Sequence, residues 1–159
     1  MKQFSEVHLK AWKKDYQDLI NKKRIKLNEE NVWMLGKTNG VICFFLNEEI
    51  AYICHSKSIY QTLNDILNIK RSNELIKLIM IHDLGISENK INQKKISKAL
   101  SNKIKKVIRN FEFSLLKINS NYMNNITNAF IVISDPTYNG HTAKLNKILD
   151  NLPDKKTIL

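Results

Sequence analysis

The chain has 159 residues, 43% of them apolar, and a formal net charge of +11. That length and apolar share fit one domain with a real core and exclude global disorder. No apolar run approaches the ~20 residues of a membrane span. Met1 to Lys10 has no apolar core, so no secretory leader is expected and a cytoplasmic protein is.

Arginine occurs at Arg24, Arg71 and Arg109, so lysine supplies 23 of the 26 basic residues. A basic balance favours polyanions such as nucleic acid. Asn and Ile are also abundant, and all three residue types have AT-rich codons. Clustering of charge is therefore a better guide to function than its sum.

Residues 1–30 read as an N-terminal helical extension. Phe4, Val7, Trp12, Tyr16, Leu19 and Ile20 recur at helical spacing. Its polar side carries Lys10, Lys13, Lys14, Lys22, Lys23, Arg24 and Lys26. Such a helix either packs on the domain with a solvated basic face, or serves as a DNA-contacting arm or a dimer helix. Asn28 to Asn39, with Trp33 and Gly36, reads as a connector, closing a first segment of residues 1–37.

Gly40 to Leu46 is almost all apolar. A polar turn of about three residues follows, Asn47-Glu48-Glu49, and then a second apolar run, Ile50 to Cys54. Two β-rich runs split by a short polar turn predict a hairpin. Pairing around Glu48 sets Cys43 opposite Ile53, so Cys43 and Cys54 point to opposite faces and no disulfide is expected. Ile42, Phe44, Leu46, Ile50, Tyr52 and Cys54 are expected to share one face. Ser56 or Ser58 caps a helix whose Ile59, Leu63, Ile66 and Leu67 share a side.

Ser72 is placed to cap Leu75 to His82, which fits a buried helix or a strand; helix is the expectation, ended by Asp83-Leu84-Gly85. Residues 70–90 look like an insertion. Ser87 to Asn110 then carries Lys90, Lys94, Lys95, Lys98, Lys103, Lys105, Lys106 and Arg109 with no acid after Glu88. Ile91, Ile96, Leu100, Ile104, Val107 and Ile108 form an apolar stripe, so this is one basic helix or two. A purely solubilising helix mixes signs. This one points to a polyanion.

Phe111 to Ile118 predicts a third strand, with Phe111, Phe113 and Leu115 alternating. Asn119 to Asn121 breaks it. Tyr122 to Ser134 predicts a closing helix with Ile126, Ala129, Phe130 and Ile133 inward, stopped at Asp135-Pro136. His141 to Leu152 predicts a terminal helix within residues 141–159, and Pro153 to Leu159 a tail.

Residues 38–140 resemble the GIY-YIG nuclease domain. Gly40-Val41-Ile42 stands for its first triplet and Tyr52-Ile53-Cys54 for its second. Lys57 follows the second triplet as in many members. Pro136-Thr137-Tyr138-Asn139 is similar to the Pro-x-Tyr-Asn that closes the excision-repair members. The resemblance implies an α+β fold with a small three-stranded antiparallel sheet flanked by helices, here with the N-terminal helical extension and the inserted helical segment added. It also implies metal-dependent DNA cleavage by tyrosine, arginine and glutamate, and a phage or mobile-element setting suits the family.

The chain departs from that pattern at the chemistry. Ile42 replaces the first tyrosine and Cys54 the second glycine. The position of the arginine is Thr62. The position of the metal-binding glutamate is Tyr122, and no acid lies between Phe113 and Ser134. Loss of one electrostatic stabiliser costs about 2.7–4 kcal/mol of transition-state stabilisation, and here several groups are absent together. Gly40, Ile42, Tyr52, Cys54, Lys57, Thr62, Tyr122 and Asn139 are thus expected to be vestigial. No resident cofactor is expected; magnesium would belong to the nuclease alternative. His55, Lys57 and Arg71, with Glu74, Asp83 and Asp135, are the substitutes such an enzyme would have. Cys43, Cys54 and His55 lack zinc-ligand spacing.

The expectation is therefore an inactive domain acting by binding, as an accessory factor or inhibitor. Its partner is nucleic acid, DNA favoured, held by Lys94, Lys95, Lys98, Lys103, Lys105, Lys106 and Arg109, with Lys22, Lys23, Arg24 and Lys26 as a second arm. The alternatives are a divergent endonuclease with relocated catalytic residues and a module for an acidic protein partner, as monomer or homodimer.

Overall fold

The computed structural model describes residues 5–91, 95–118 and 121–139. Phe4, Asn119, Ser120, the expected terminal helix at 141–152 and the tail lie outside them, as does Lys94.

The architecture is α+β, a four-stranded sheet between two helical layers. The strands are β1 (Ile25–Lys26), β2 (Gly40–Leu46), β3 (Glu49–Ser56) and β4 (Phe111–Lys117). Their order is β1-β4-β2-β3, every pair antiparallel. Three strands are those expected; β1 is additional. It pairs Ile25 with Phe113 and Lys26 with Glu112, inside the stretch predicted as a helical extension. Two residues carry too little alternation to announce a strand.

The hairpin turn is tighter than the sequence suggests. Leu46 pairs with Glu49, leaving two turn residues, Asn47 and Glu48. Both have positive φ, 51° and 69°, the requirement of a type I′ turn, whose twist matches that of paired strands. Cys43 lies opposite Ile53 as predicted, and both cysteines are free thiols. Phe44 pairs with Tyr52 but Phe45 with Ile50, so Ala51 is the extra residue of a β-bulge. The bulge corrects one expectation: Ile50 packs into the second-face core with Cys43 and Phe45, not beside Tyr52.

One face of the sheet is covered by α2 (Glu29–Trp33), α3 (Ile59–Leu67), α4 (Glu74–His82), α5 (Glu88–Ile91) and α6 (Lys98–Ile108). The predicted stripe of α3 is real, with Ile59, Leu63 and Ile66 fully buried. Ser58 caps it, accepting from the Gln61 N–H. The cap of α4 is Asn73, not Ser72; its Oδ1 accepts from the Leu75 and Ile76 N–H groups. The supposed connector holds α2, capped by Asn28 through the Asn31 N–H.

The other face is covered by a 3-10 turn (Glu6–Trp12), α1 (Lys13–Asn21) and α7 (Met123–Ser134). Leu9, Trp12, Tyr16 and Leu19 are buried there, whereas Val7 is exposed, contrary to the helical spacing that places it inward. The Tyr16 hydroxyl lies 2.7 Å from the Ser134 hydroxyl, tying α1 to α7. The buried Ser114 hydroxyl donates to the Leu19 carbonyl at 2.6 Å, tying α1 to β4. Gly40 permits close strand approach at the sheet's end. A Cβ there would stand 2.3 Å from the Leu116 carbonyl oxygen. No helix among the described residues is long and apolar enough to cross a membrane.

Candidate functional site

Two regions carry the residues singled out from the sequence: a polar pocket at the position the nuclease resemblance assigns to chemistry, and the solvent face of α6. The pocket, about 250 Å³, lies between the end of β3, α3 and the start of α4. Tyr52, Cys54, His55, Thr62, Asp65 and Glu74 are among its lining residues. Of the substitutes considered from sequence, His55 and Glu74 do reach it, and Lys57, Arg71, Asp83 and Asp135 do not line it. Sequence reasoning missed Asp65. Its signal was present, since Thr62, Asp65 and Ile66 fall at i, i+3 and i+4 of α3.

Each motif position has a structural occupation. Ile42 is fully buried in the first-face core. Tyr52 is 8% exposed, and its ring centroid lies 5.9 Å from that of Phe44. Burial, with Cys54 and Glu74 adding repulsion, pushes its phenol far above the ordinary tyrosine range, so it keeps its proton. Burial likewise pushes the Cys54 thiol up to about 12. Neither group is poised as a base or nucleophile at neutral pH.

Thr62 bonds its hydroxyl to that of Ser56 at 2.6 Å, and the Ser56 hydroxyl accepts from the Ser58 N–H at 3.0 Å. The side chain where an arginine would stand thus secures the strand-to-helix turn. Lys57 is exposed and outside the pocket lining. Tyr122 precedes α7, in the helical layer opposite the one that covers Tyr52.

The charge of the pocket is opposite to what the nuclease resemblance implies. Among the described residues its lining has Asp65 and Glu74 and no lysine or arginine. Asp65 pairs with Lys70 at 3.4 Å and accepts from Gln61 Nε2 at 2.8 Å. No group of three His, Cys, Asp or Glu suited to a metal ion occurs among the described residues. The donors present do not compose the arginine-and-carboxylate set implied for a magnesium-dependent nuclease, and two carboxylates in a recess disfavour a phosphodiester.

Tyr138 and Asn139, the end of the described residues, are built into the fold. Tyr138 is buried, and its hydroxyl donates to Asp83 Oδ2 at 2.6 Å. Its backbone N–H donates to the carbonyl of the bulged Ala51 at 2.8 Å. Asn139 pairs with Ile53 through both ends of its amide. The segment therefore covers the outer edge of β3.

The second region is α6. Leu100, Ile104 and Ile108 turn inward. Lys98, Lys103, Lys105, Lys106 and the C-terminal Arg109 are exposed, with Lys95 exposed just before the helix. None of them is in an ion pair with a described residue. Lys105, Lys106 and Arg109 suit the negative end of the helix dipole; Lys98 stands at the positive end, where a cation weakens the helix.

The second arm does not join this face. Arg24 stacks over Phe45 at 4.0 Å, on the opposite side of the sheet from α6. Lys22 Nζ donates to the Leu115 carbonyl at 2.9 Å. Lys23 and Lys26 are exposed.

Comparison of the chain with family models, with curated proteins and with solved structures finds no match.

Proposed function

We propose that this chain is a catalytically inactive domain on a GIY-YIG-like scaffold that works by binding a nucleic-acid backbone, DNA favoured. It acts as a cytoplasmic accessory factor or inhibitor. The observation that carries the reading is the solvent face of α6, where Lys98, Lys103, Lys105, Lys106 and Arg109 stand exposed without a single acid. Such a face gives mostly sequence-independent contact with phosphates. The pocket at Tyr52 supports inactivity: its phenol is buried and keeps its proton, and its lining is acidic.

The scaffold reading draws support from element order: hairpin, helix, inserted helices, a strand antiparallel to β2, then a closing helix. Binding of a labelled DNA duplex across a salt series tests the reading. Affinity falls steeply and linearly on logarithmic axes as salt rises. No binding at low salt leaves the acidic-partner alternative. Cleavage of plasmid with magnesium or manganese, abolished by Glu74→Gln, establishes the divergent endonuclease instead.

A further inference from the structure

We propose that the recess between α2 and α3 holds one unpaired nucleobase, which makes this a binder of single-stranded nucleic acid. The proposal rests on the backbone-binding reading above and adds what is gripped besides phosphate. The starting observation is Trp33, which ends α2 and is 78% exposed. An indole seldom stands so far into water, because burying it is worth more than burying any other side chain.

Beside it lies a recess of about 240 Å³, lined by Trp33, Tyr60, Asn64, Asn68 and Glu29 together with the apolar Val32 and Leu67. Tyr60, Asn64 and Asn68 lie at i, i+4 and i+8 of the α3 run, so they form one row along its outer side. No side-chain hydrogen bond to a described residue engages the amide of Asn64 or of Asn68.

The recess therefore presents two aromatic groups, two aliphatic side chains, two amides that both donate and accept, and one carboxylate that accepts. A flat heterocycle with donors and acceptors on its rim matches that set. A phosphate does not, because Glu29 repels it; an aliphatic side chain leaves the amides unanswered. Stacking of bases on aromatic side chains is the usual grip on single strands, and a base held in a duplex cannot enter. Lys26 and Lys37 stand exposed on the segments either side of α2, where the strand's phosphates would run.

Trp12, the other of the two tryptophans, is 5% exposed, so a ligand-induced change in emission reports Trp33. The test titrates the full chain with a mixed-sequence single strand about twelve nucleotides long and with its duplex. Binding is followed independently by the anisotropy of labelled nucleic acid. The expected result is quenching of Trp33 by the single strand and not by the duplex. Trp33→Ala then weakens single-strand affinity roughly five- to a hundredfold and leaves duplex affinity unchanged. Asn64→Leu, which leaves Trp33 in place, lowers affinity and alters the ranking of homopolymers.

Single-strand binding with Trp33 emission unmoved overturns the recess and leaves the α6 reading intact. Quenching that survives Lys103→Glu with Lys106→Glu at unchanged affinity upholds the recess and overturns α6. Emission unmoved by any oligonucleotide, with no binding, overturns both and leaves a partner protein's aromatic side chain as the occupant.

Discussion

Asn139 meets Ile53 as a neighbouring strand would: its Oδ1 accepts from the Ile53 N–H at 2.8 Å and its Nδ2 donates to the Ile53 carbonyl at 2.9 Å. β3 is an edge strand, and an open edge invites pairing with another chain. One side-chain amide supplies the two bonds that a further strand would supply at that residue. Asn139→Ala removes both, and each is worth about 0.5–1.5 kcal/mol. A loss of about 1–3 kcal/mol in urea unfolding is expected, with faster exchange of the Ile53 amide. Asn139→Asp keeps the acceptor but sets a carboxylate against the Ile53 carbonyl, so it fares no better at neutral pH.

This clamp marks what the sequence could and could not disclose. The hairpin, α3, α6, β4 and α7 are legible because their apolar periods run over seven or more residues. Asn139 stands out only by resemblance, since its partner lies 86 residues away and no local pattern joins them. The bulge at Ala51 is invisible because both registers of Ile50 bury an isoleucine. β1 escapes because two residues show no period. At the site, Tyr52, His55 and Glu74 can each be named from sequence, but their convergence depends on α3 folding back over β3. The recess at Trp33 leaves no trace in the sequence: α2 is five residues long, and its tryptophan reads like any connector residue.

The hairpin turn carries a correctable strain. Glu48 holds φ at 69°, a region that costs a residue with a Cβ about 1–2 kcal/mol. Asn47, at 51°, is among the residues that tolerate it. Glu48→Gly gives the Asn-Gly pair that type I′ turns favour. After subtracting the added freedom of glycine in the unfolded chain, a gain of about 0.5–1 kcal/mol is expected. Thermal unfolding checks it, and a Glu48→Gly protein no more stable than the parent refutes the turn assignment.

Gly40 opens the triplet that resembles the nuclease motif, but its requirement here is steric. Its missing Cβ leaves room for the Leu116 carbonyl, and Ile59 Cδ1 would stand 3.1 Å from such a carbon. Gly40→Ala forces β2 from β4 or shifts α3. A loss of about 1–3 kcal/mol is expected, read by urea unfolding. Nucleic-acid affinity of the folded protein should not change, which separates this role from a functional one.

Alkaline pH should destabilise the fold in two stages. Burial pushes the Cys43 and Cys54 thiols from 9.0 up to about 12, and raises Tyr16, Tyr52 and Tyr138 above 10.0, Tyr138 also through its bond to Asp83. Above the ordinary values the unfolded chain releases protons that the folded chain retains, so stability falls as pH rises. It is fully present below about pH 9, declines first through the thiols, and steepens past pH 10 as unfolded tyrosines ionise. Each fully discharged group adds a slope of about 1.4 kcal/mol per pH unit. Urea midpoints between pH 7 and 11 measure this. Replacing Cys43 by Val should roughly halve the slope of the stage near pH 9–10, since Cys54 still contributes, and leave the tyrosine stage in place.

The lysines of α6 make the sharpest case because their two roles separate by salt. If Lys103 and Lys106 only keep the helix soluble, reversing them alters stability slightly and binding not at all. If they meet phosphates, Lys103→Glu with Lys106→Glu weakens duplex and single-strand binding alike. The slope of log affinity against log salt then falls by about 0.9 for each duplex phosphate no longer neutralised, or about 1.8 for the pair. Reversing Lys105 or Lys106 also places an acid at the negative end of the helix dipole, so the double variant loses some helix stability besides any phosphate contact and Lys103→Glu alone is the cleaner reading. Lys103 lies mid-helix in Lys98–Ile108, where the dipole is weakest. A Lys103→Glu protein with unchanged unfolding and a slope reduced by about one unit assigns the phosphate to this residue. An unchanged slope moves the polyanion surface away from α6.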